Sequence, residues 1–343
     1  MIHVEEFRQA AEEIGRWGRT LILTHDRPDG DALGACIAMK RSIESAGRKA
    51  TILLAETCPV RYTFLAEQTP LYVWPSDRPT SILEGFDGIL VLDTCSLSQL
   101  APFRPLLTGC PLPRVVLDHH ATRDDLSDGG APVTYLIDSS AASACSLVYR
   151  WCQAAGWPID TAIAEALFVG LVTDTGWYRF SNTDAETFQI AGHLIEQGAR
   201  PDIVYGRLYE MWPTARLRIK ALALSTLELH ADARLALMHL DPAMFAQAGA
   251  TPKDTEELVN EPMAAGSVMV SILFVQEEDG RLRASFRSKS PQVCGIDIDI
   301  AALASQFGGG GHRRAAGARL EGEWGALRDR IIAAACQAIK ESC

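Results

Sequence analysis

Four stretches of the chain gather groups that bind cations. Residues 24–31 read Thr-His-Asp-Arg-Pro-Asp-Gly-Asp, with three carboxylates and one imidazole within seven residues. Asp93 ends the apolar run 88–92, Asp118-His119-His120 ends the run 114–117, and Asp174 lies in Gly-Leu-Val-Thr-Asp-Thr-Gly at 170–176. Taken singly, Asp29-Gly30 is an ordinary turn, paired histidines are an ordinary surface feature, and Asp93 or Asp174 could cap a helix. Together, carboxylates converging on one pocket would repel and raise one another's pKa unless divalent cations neutralised them. Two ions are the economical solution, with Gly30 letting Asp29 and Asp31 turn to different ions and Asp93 able to bridge them. Oxygen-rich ligands with a few imidazoles favour Mn²⁺ or Mg²⁺; zinc stays open, and two histidines speak against calcium.

A second constellation suits anions. In residues 281–289, Arg281, Arg283, Ser285, Arg287 and Lys289 alternate with Leu282, Ala284 and Phe286, so a strand here has one basic and one apolar face. Residues 308–317, Gly-Gly-Gly-Gly-His-Arg-Arg-Ala-Ala-Gly, read as a glycine-rich turn whose backbone N–H groups can approach an anion closely. Residues 281–319 hold seven Lys or Arg against two Asp, the place for a phosphate to dock. Neither GxxxxGK[ST] nor a GxGxxG fingerprint after a strand is present, which argues against ATP hydrolysis and Rossmann dinucleotide chemistry.

The elements that must position these groups follow from periodicity. Short β-branched runs at 20–23, 50–54, 88–92, 114–117 and 133–137 alternate with helical stretches such as 32–47, the pattern of a parallel sheet covered by helices. In such sheets ligands bind beyond the carboxyl ends of the strands, where Asp93, the triplet and the loop at 24–31 fall. A helix over 159–172 would place Asp174 just past its end, a position that needs a nearby cation. Residues 184–230 read as helical; strands follow at 235–240, 268–275 and 282–286, then helices at 300–307 and 324–339. The expected organisation is an α/β catalytic domain over 1–190, a helical connector over 191–230 and a smaller mixed-sheet α/β domain over 231–343.

The chain has 343 residues and a formal charge of −11, so a polyanion must be met locally rather than by the whole surface. No apolar run approaches the ~20 residues of a membrane helix, and the opening residues carry acids where a signal peptide has its apolar core; the expected compartment is the cytoplasm. Nine scattered cysteines without a C-x-x-C pair read as small core residues. The chain could be a monomer or a homodimer.

These motifs resemble the DHH phosphoesterases with an associated DHHA1 domain, whose first name is the triplet at 118–120. The resemblance spans THDRPDGDALGA at 24–35, the strand end at Asp93, GLVTDTG at 170–176 and GGGGHRRAAG at 308–317; within the family it is most similar to the nano-RNase and pAp phosphatase group. It implies two Mn²⁺ ions, one held by His25, Asp29 and Asp93, the other by Asp31, Asp93, His119 and Asp174. It further implies that Asp118 orients an imidazole, that His120 lies beside the scissile phosphate, and that Arg287, Ser288 and His312 grip substrate phosphate with Gly310 and Gly311 backbone donors. The implied activity is hydrolysis of short oligoribonucleotides to nucleoside monophosphates, with pAp dephosphorylation beside it; a cyclic-dinucleotide or pApA phosphodiesterase and a non-catalytic nucleotide sensor are the alternatives. Two departures stand out: residues 141–150 lack the Glu that relatives commonly carry there, and Trp177 is bulkier than is usual in the group and could narrow the cleft and alter which nucleotides fit.

Overall fold

The computed structural model describes residues 1–67, 69–74, 80–127, 130–277 and 280–342, which divide into two compact units, Met1–Met211 and Trp212–Cys343. The division falls inside the segment expected to connect them.

In the first unit, β1 (Arg19–Leu23), β2 (Lys49–Leu54), β3 (Leu71–Val73), β4 (Gly88–Leu92), β5 (Arg114–Asp118) and β6 (Val133–Ile137) form one sheet in the order β3-β2-β1-β4-β5-β6. All its pairings are parallel. The chain leaves β1 in one direction and returns to its other side at β4, so the crevice beyond the carboxyl ends of these two strands is the topological switch point. Successive residues face opposite layers, as the two-residue period requires. Ile22, Leu90, Leu92, Val115 and Leu117 face a core shared with α1 (Val4–Gly15), α2 (Gly30–Ser45), α4 (Ala144–Ala155), α5 (Thr161–Asp174), α6 (Ala185–Glu196) and α7 (Pro201–Tyr209). Leu21, Leu23, Ile89, Val91 and Val116 face a thinner layer built around the short α3 (Arg104–Leu107).

Local chemistry sets the ends of the helices that matter. Asp29 caps α2 by accepting from the N–H groups of Asp31 and Ala32, and Asp160 caps α5 through the N–H of Ile163 at 2.8 Å. Ser143 and Ser146 form a reciprocal cap on α4, which stops at Gly156 in left-handed conformation. Gly34 lets α2 pack hard on α5, because a Cβ there would run into the Ala166 carbonyl.

In the second unit, α8 (Thr214–Ser225) precedes β7 (Glu228–His230) and β8 (Leu235–Leu240). Then come α9 (Pro242–Ala248), β9 (Val270–Gln276), β10 (Leu282–Ser288), α10 (Pro291–Cys294), α11 (Ile300–Ser305), β11 (Gly310–His312), β12 (Ala315–Leu320) and α12 (Trp324–Ser342). The sheet order is β11-β12-β10-β9-β8-β7, antiparallel except for β8 with β9. One face, including Ala284, Phe286, Ala316 and Ala318, is covered by α11 and α12. The other is covered over β8 and β9 by α8 and α9, while Gly317, Arg319, Gly310 and His312 at its far end are exposed. The glycine-rich stretch read as a turn is therefore a hairpin, β11 with β12; its Ala and Gly residues have low strand propensity, and it is the pairing of β12 with β10 and of β11 with β12 that makes them strands.

Candidate metal centre and phosphate-binding face

His25 follows β1, Asp93 follows β4, and Asp118 ends β5 with His119 and His120 just beyond it. Thr24 stitches the two central strand ends together by donating from Oγ1 to the Leu92 carbonyl at 2.8 Å. Asp93 has φ of 60°, a left-handed conformation rare for a residue other than glycine and characteristic of strained functional positions. Its amide remains tied to the Leu117 carbonyl at 2.9 Å.

Asp93 is the hub. Its Oδ2 lies 3.6 Å from His25 Nε2, and its Oδ1 lies 3.4 Å from His119 Nε2 and 3.7 Å from His120 Nδ1. His119 Nε2 also faces Asp31 Oδ2 at 3.7 Å and Asp174 Oδ2 at 3.9 Å. Three groups of potential ligand atoms result: His25, Asp29 and Asp93; Asp31, His119 and Asp174; and Asp93, His119 and His120. The structure thus brings all six expected metal ligands together, from four separate segments. Asp118 receives the backbone N–H of His120 at 3.1 Å and lies 2.8 Å from its Nδ1, fixing that ring.

The electrostatics fit divalent cations. Burial pushes the Asp31 carboxyl well above its usual range, and Asp93 and Asp174 push it further. Burial likewise raises Asp29, aided by Asp93, and raises Asp174 to about 6 against the pull of His119. Burial alone would lower the His119 pKa, but Asp93, Asp31 and Asp174 drive it up to about 10. Asp93 itself is held low by His119 and His25 in spite of its burial. The cluster therefore retains protons where cations would sit. The buried Asp93 Oδ1 and His119 Nε2 have no hydrogen-bond partner among the described residues, an arrangement that is costly unless another group satisfies them.

Several contributors were not legible in the sequence. Asp31 Oδ2 and Oδ1 accept from the N–H groups of Ala144 and Cys145, at 2.6 and 2.8 Å. The stretch lacking the relatives' Glu thus supplies a helix N-terminus that holds the Asp31 carboxylate; the Ser143 cap could have signalled the helix start, but not its target. Asn182 Nδ2 lies 3.2 Å from Asp174 Oδ2 and 2.9 Å from the Ala142 carbonyl. The Trp177 ring packs against Phe168, Tyr205 and Tyr209.

In the second unit, Arg287 pairs in register with Ala315, which pairs on its other side with His312. One row across three strands therefore turns Arg287 and His312 to the same face. Arg287 is half-buried, and burial disfavours its cationic form against the opposing pull of Glu257. Gly311 has φ of 143°, and a Cβ there would approach the Ala315 carbonyl oxygen to 2.6 Å, so the hairpin requires glycine. Beside Gly310 the space is open. Ser288 points to the opposite, covered face; its hydroxyl donates to the Ile298 carbonyl at 3.0 Å and lies 3.3 Å from Arg314 Nη1.

A parallel sheet with a carboxylate and imidazole centre at its switch point, joined to a second unit with a basic glycine-rich face, defines a phosphoesterase that uses divalent metal. The chain belongs to the DHH family: the model of the DHH family N-terminal domain matches residues 19–171, and that of the DHHA1 domain matches 237–341. It is 28% identical to the bifunctional oligoribonuclease and PAP phosphatase NrnA of Bacillus subtilis, over 92% of this chain and 93% of that protein. To the NrnA protein of Thermus thermophilus it is 27% identical, over 93% and 89%. An exopolyphosphatase-related protein from Bacteroides fragilis shares the fold at TM-score 0.85 and 22% identity, covering 99% of this chain and 97% of that one.

Proposed function

We propose that this protein is a Mn²⁺-dependent exonuclease that cuts oligoribonucleotides of a few residues to nucleoside monophosphates and also dephosphorylates pAp. The observation that carries the reading is the convergence of His25, Asp29, Asp31, His119 and Asp174 around Asp93. In this reading His25, Asp29 and Asp93 hold one ion, and Asp31, Asp93, His119 and Asp174 hold the other. When bound, divalent cations supply Lewis acidity that activates water and draws charge from the phosphoryl oxygens.

The remaining chemistry belongs to the side chains. Asp118, by its contact with His120 Nδ1, raises that imidazole's pKa despite the opposing effect of burial, so that Nε2–H can donate to a phosphoryl or leaving oxygen. Arg287, a partly desolvated guanidinium, pairs with a terminal phosphate of the substrate, with His312 and the backbone N–H groups of Gly310 and Gly311 beside it. Ser288 supports this face from behind through Arg314 and Ile298. The relatives named NrnA support the substrate class.

The test is release of mononucleotides, followed by chromatography, from 5′-phosphorylated RNAs of two, five and twenty nucleotides and from pAp, with Mn²⁺ and with chelator. Metal-dependent turnover of the short RNAs, with the longest lagging, is the expected result. Cleavage of a cyclic dinucleotide in their place would overturn the substrate assignment, and tight binding without turnover would overturn the enzymatic one.

A further inference from the structure

Beyond Asp174 the chain makes an unusual turn. Gly176, Trp177 and Tyr178 have φ of 54°, 56° and 63°, three successive left-handed residues of which two carry large side chains. Packing holds them there. The Trp177 N–H donates to the Val172 carbonyl at 2.7 Å and its ring lies 5.1 Å from that of Tyr205, while Tyr178 stacks on Phe188 at 4.9 Å. The N–H groups of Arg179 and Phe180 both reach the Thr175 carbonyl at 3.0 Å.

The turn lays the Phe180 ring over Gly176, so closely that a Cβ at that glycine would run into it. Asn182 then closes the segment on the Asp174 carboxylate, so Phe180 sits in the short loop whose ends, Asp174 and Asn182, meet at a carboxylate of the candidate metal centre. It nevertheless keeps 54% of its surface exposed. Arg179, fixed by Nε on the Gly176 carbonyl at 2.7 Å, places its Cζ 5.9 Å from the ring centroid. A strained backbone, a glycine that seats the ring and an open aromatic surface make a stacking platform rather than a piece of core.

We propose that Phe180 stacks on the nucleobase of the nucleotide whose phosphate lies at the metal centre. The inference rests on the function proposed above. Every base has a π-face, so a single ring accepts any of the four, with purines favoured by their larger area. The platform would align the sugar-phosphate relative to the centre and cation–π attraction from Arg179 would add to it.

The test compares wild type, Phe180→Ala and Phe180→Trp on 5′-phosphorylated diadenylate and on the same dinucleotide lacking the base at the cleaved nucleotide. The expected result is that wild type prefers the intact substrate by about tenfold or more in kcat/KM, that the Ala variant loses this preference, and that Trp restores it. A wild-type preference retained by Phe180→Ala overturns the proposal. If wild type hydrolyses neither substrate, the functional reading fails separately, and quenching of a bound 2-aminopurine dinucleotide decides the stacking: loss of quenching in Phe180→Ala supports it, and equal quenching overturns it.

Discussion

Asp31 and Cys145 bind each other twice. The Cys145 backbone N–H donates to Asp31 Oδ1 at 2.8 Å, and the Cys145 thiol lies 3.4 Å from the Asp31 carbonyl oxygen. The start of α4 thereby holds the start of α2, and the carboxylate that faces His119 is fixed before any cation arrives. Such preorganisation reduces what binding must order.

Replacing Asp31 by Asn removes one acceptor facing an N–H and one negative charge from the centre. Bound metal, measured by atomic absorption, is expected to fall, with kcat/KM down by more than about a hundredfold. Full metal content with full activity would exclude Asp31 as a ligand.

Asp118 holds the His120 ring by its backbone N–H and Nδ1. Asp118→Asn is expected to lower kcat by about ten- to a hundredfold and to shift the acid-base limb of the pH–rate profile, with metal content unchanged. An unaltered profile would show that the ring needs no such support.

The metal-free protein should lose stability as pH rises. Asp174, at about 6 in the folded state against 3.8, holds a proton that the unfolded chain releases, so stability falls from about pH 4 through 6. His119, at about 10 against 6.5, extends the loss through more alkaline pH. Cations replace these protons, so the rise in Tm on adding Mn²⁺ should grow between about pH 5 and 9. Thermal melts with chelator and with metal across that range check this; a chelated Tm that climbs with pH would contradict it.

Gly170 of α5 faces the same junction, since a Cβ there would stand 2.7 Å from Asp31 Oδ1 and press on Cys145. Gly170→Ala should cost about 1–3 kcal/mol in denaturant unfolding and weaken metal binding. Gly192→Ala in α6, with open space at the Cβ position, serves as the control and should be neutral or stabilising by up to about 1 kcal/mol.

Arg287→Ala should raise KM for a terminally phosphorylated dinucleotide by about ten- to a hundredfold, the worth of a charge-assisted hydrogen bond, with Arg287→Lys between the two. The unphosphorylated dinucleotide should respond much less. Equal effects on both substrates would place Arg287 outside the phosphate grip.

The cluster of acids and imidazoles was legible because these groups stand at the ends of β-branched runs, and strand ends in an open sheet share one edge. The basic face of β10 was legible from its two-residue alternation. Periodicity carries no such information about small residues, and the strands formed by Gly310–His312 and Ala315–Leu320 escaped it.

Sequence by itself determined which chemical groups are present and which of the strongly periodic apolar segments are strand or helix, because side-chain chemistry and local periodicity are properties of neighbours along the chain. Only the tertiary structure decided that the α4 N-terminus binds Asp31, that Trp177 packs on the core and leaves Phe180 over Gly176, and that Ser288 meets Ile298 and Arg314. Those outcomes depend on packing between residues far apart in sequence, where close approach and the pairing of buried polar groups select one arrangement.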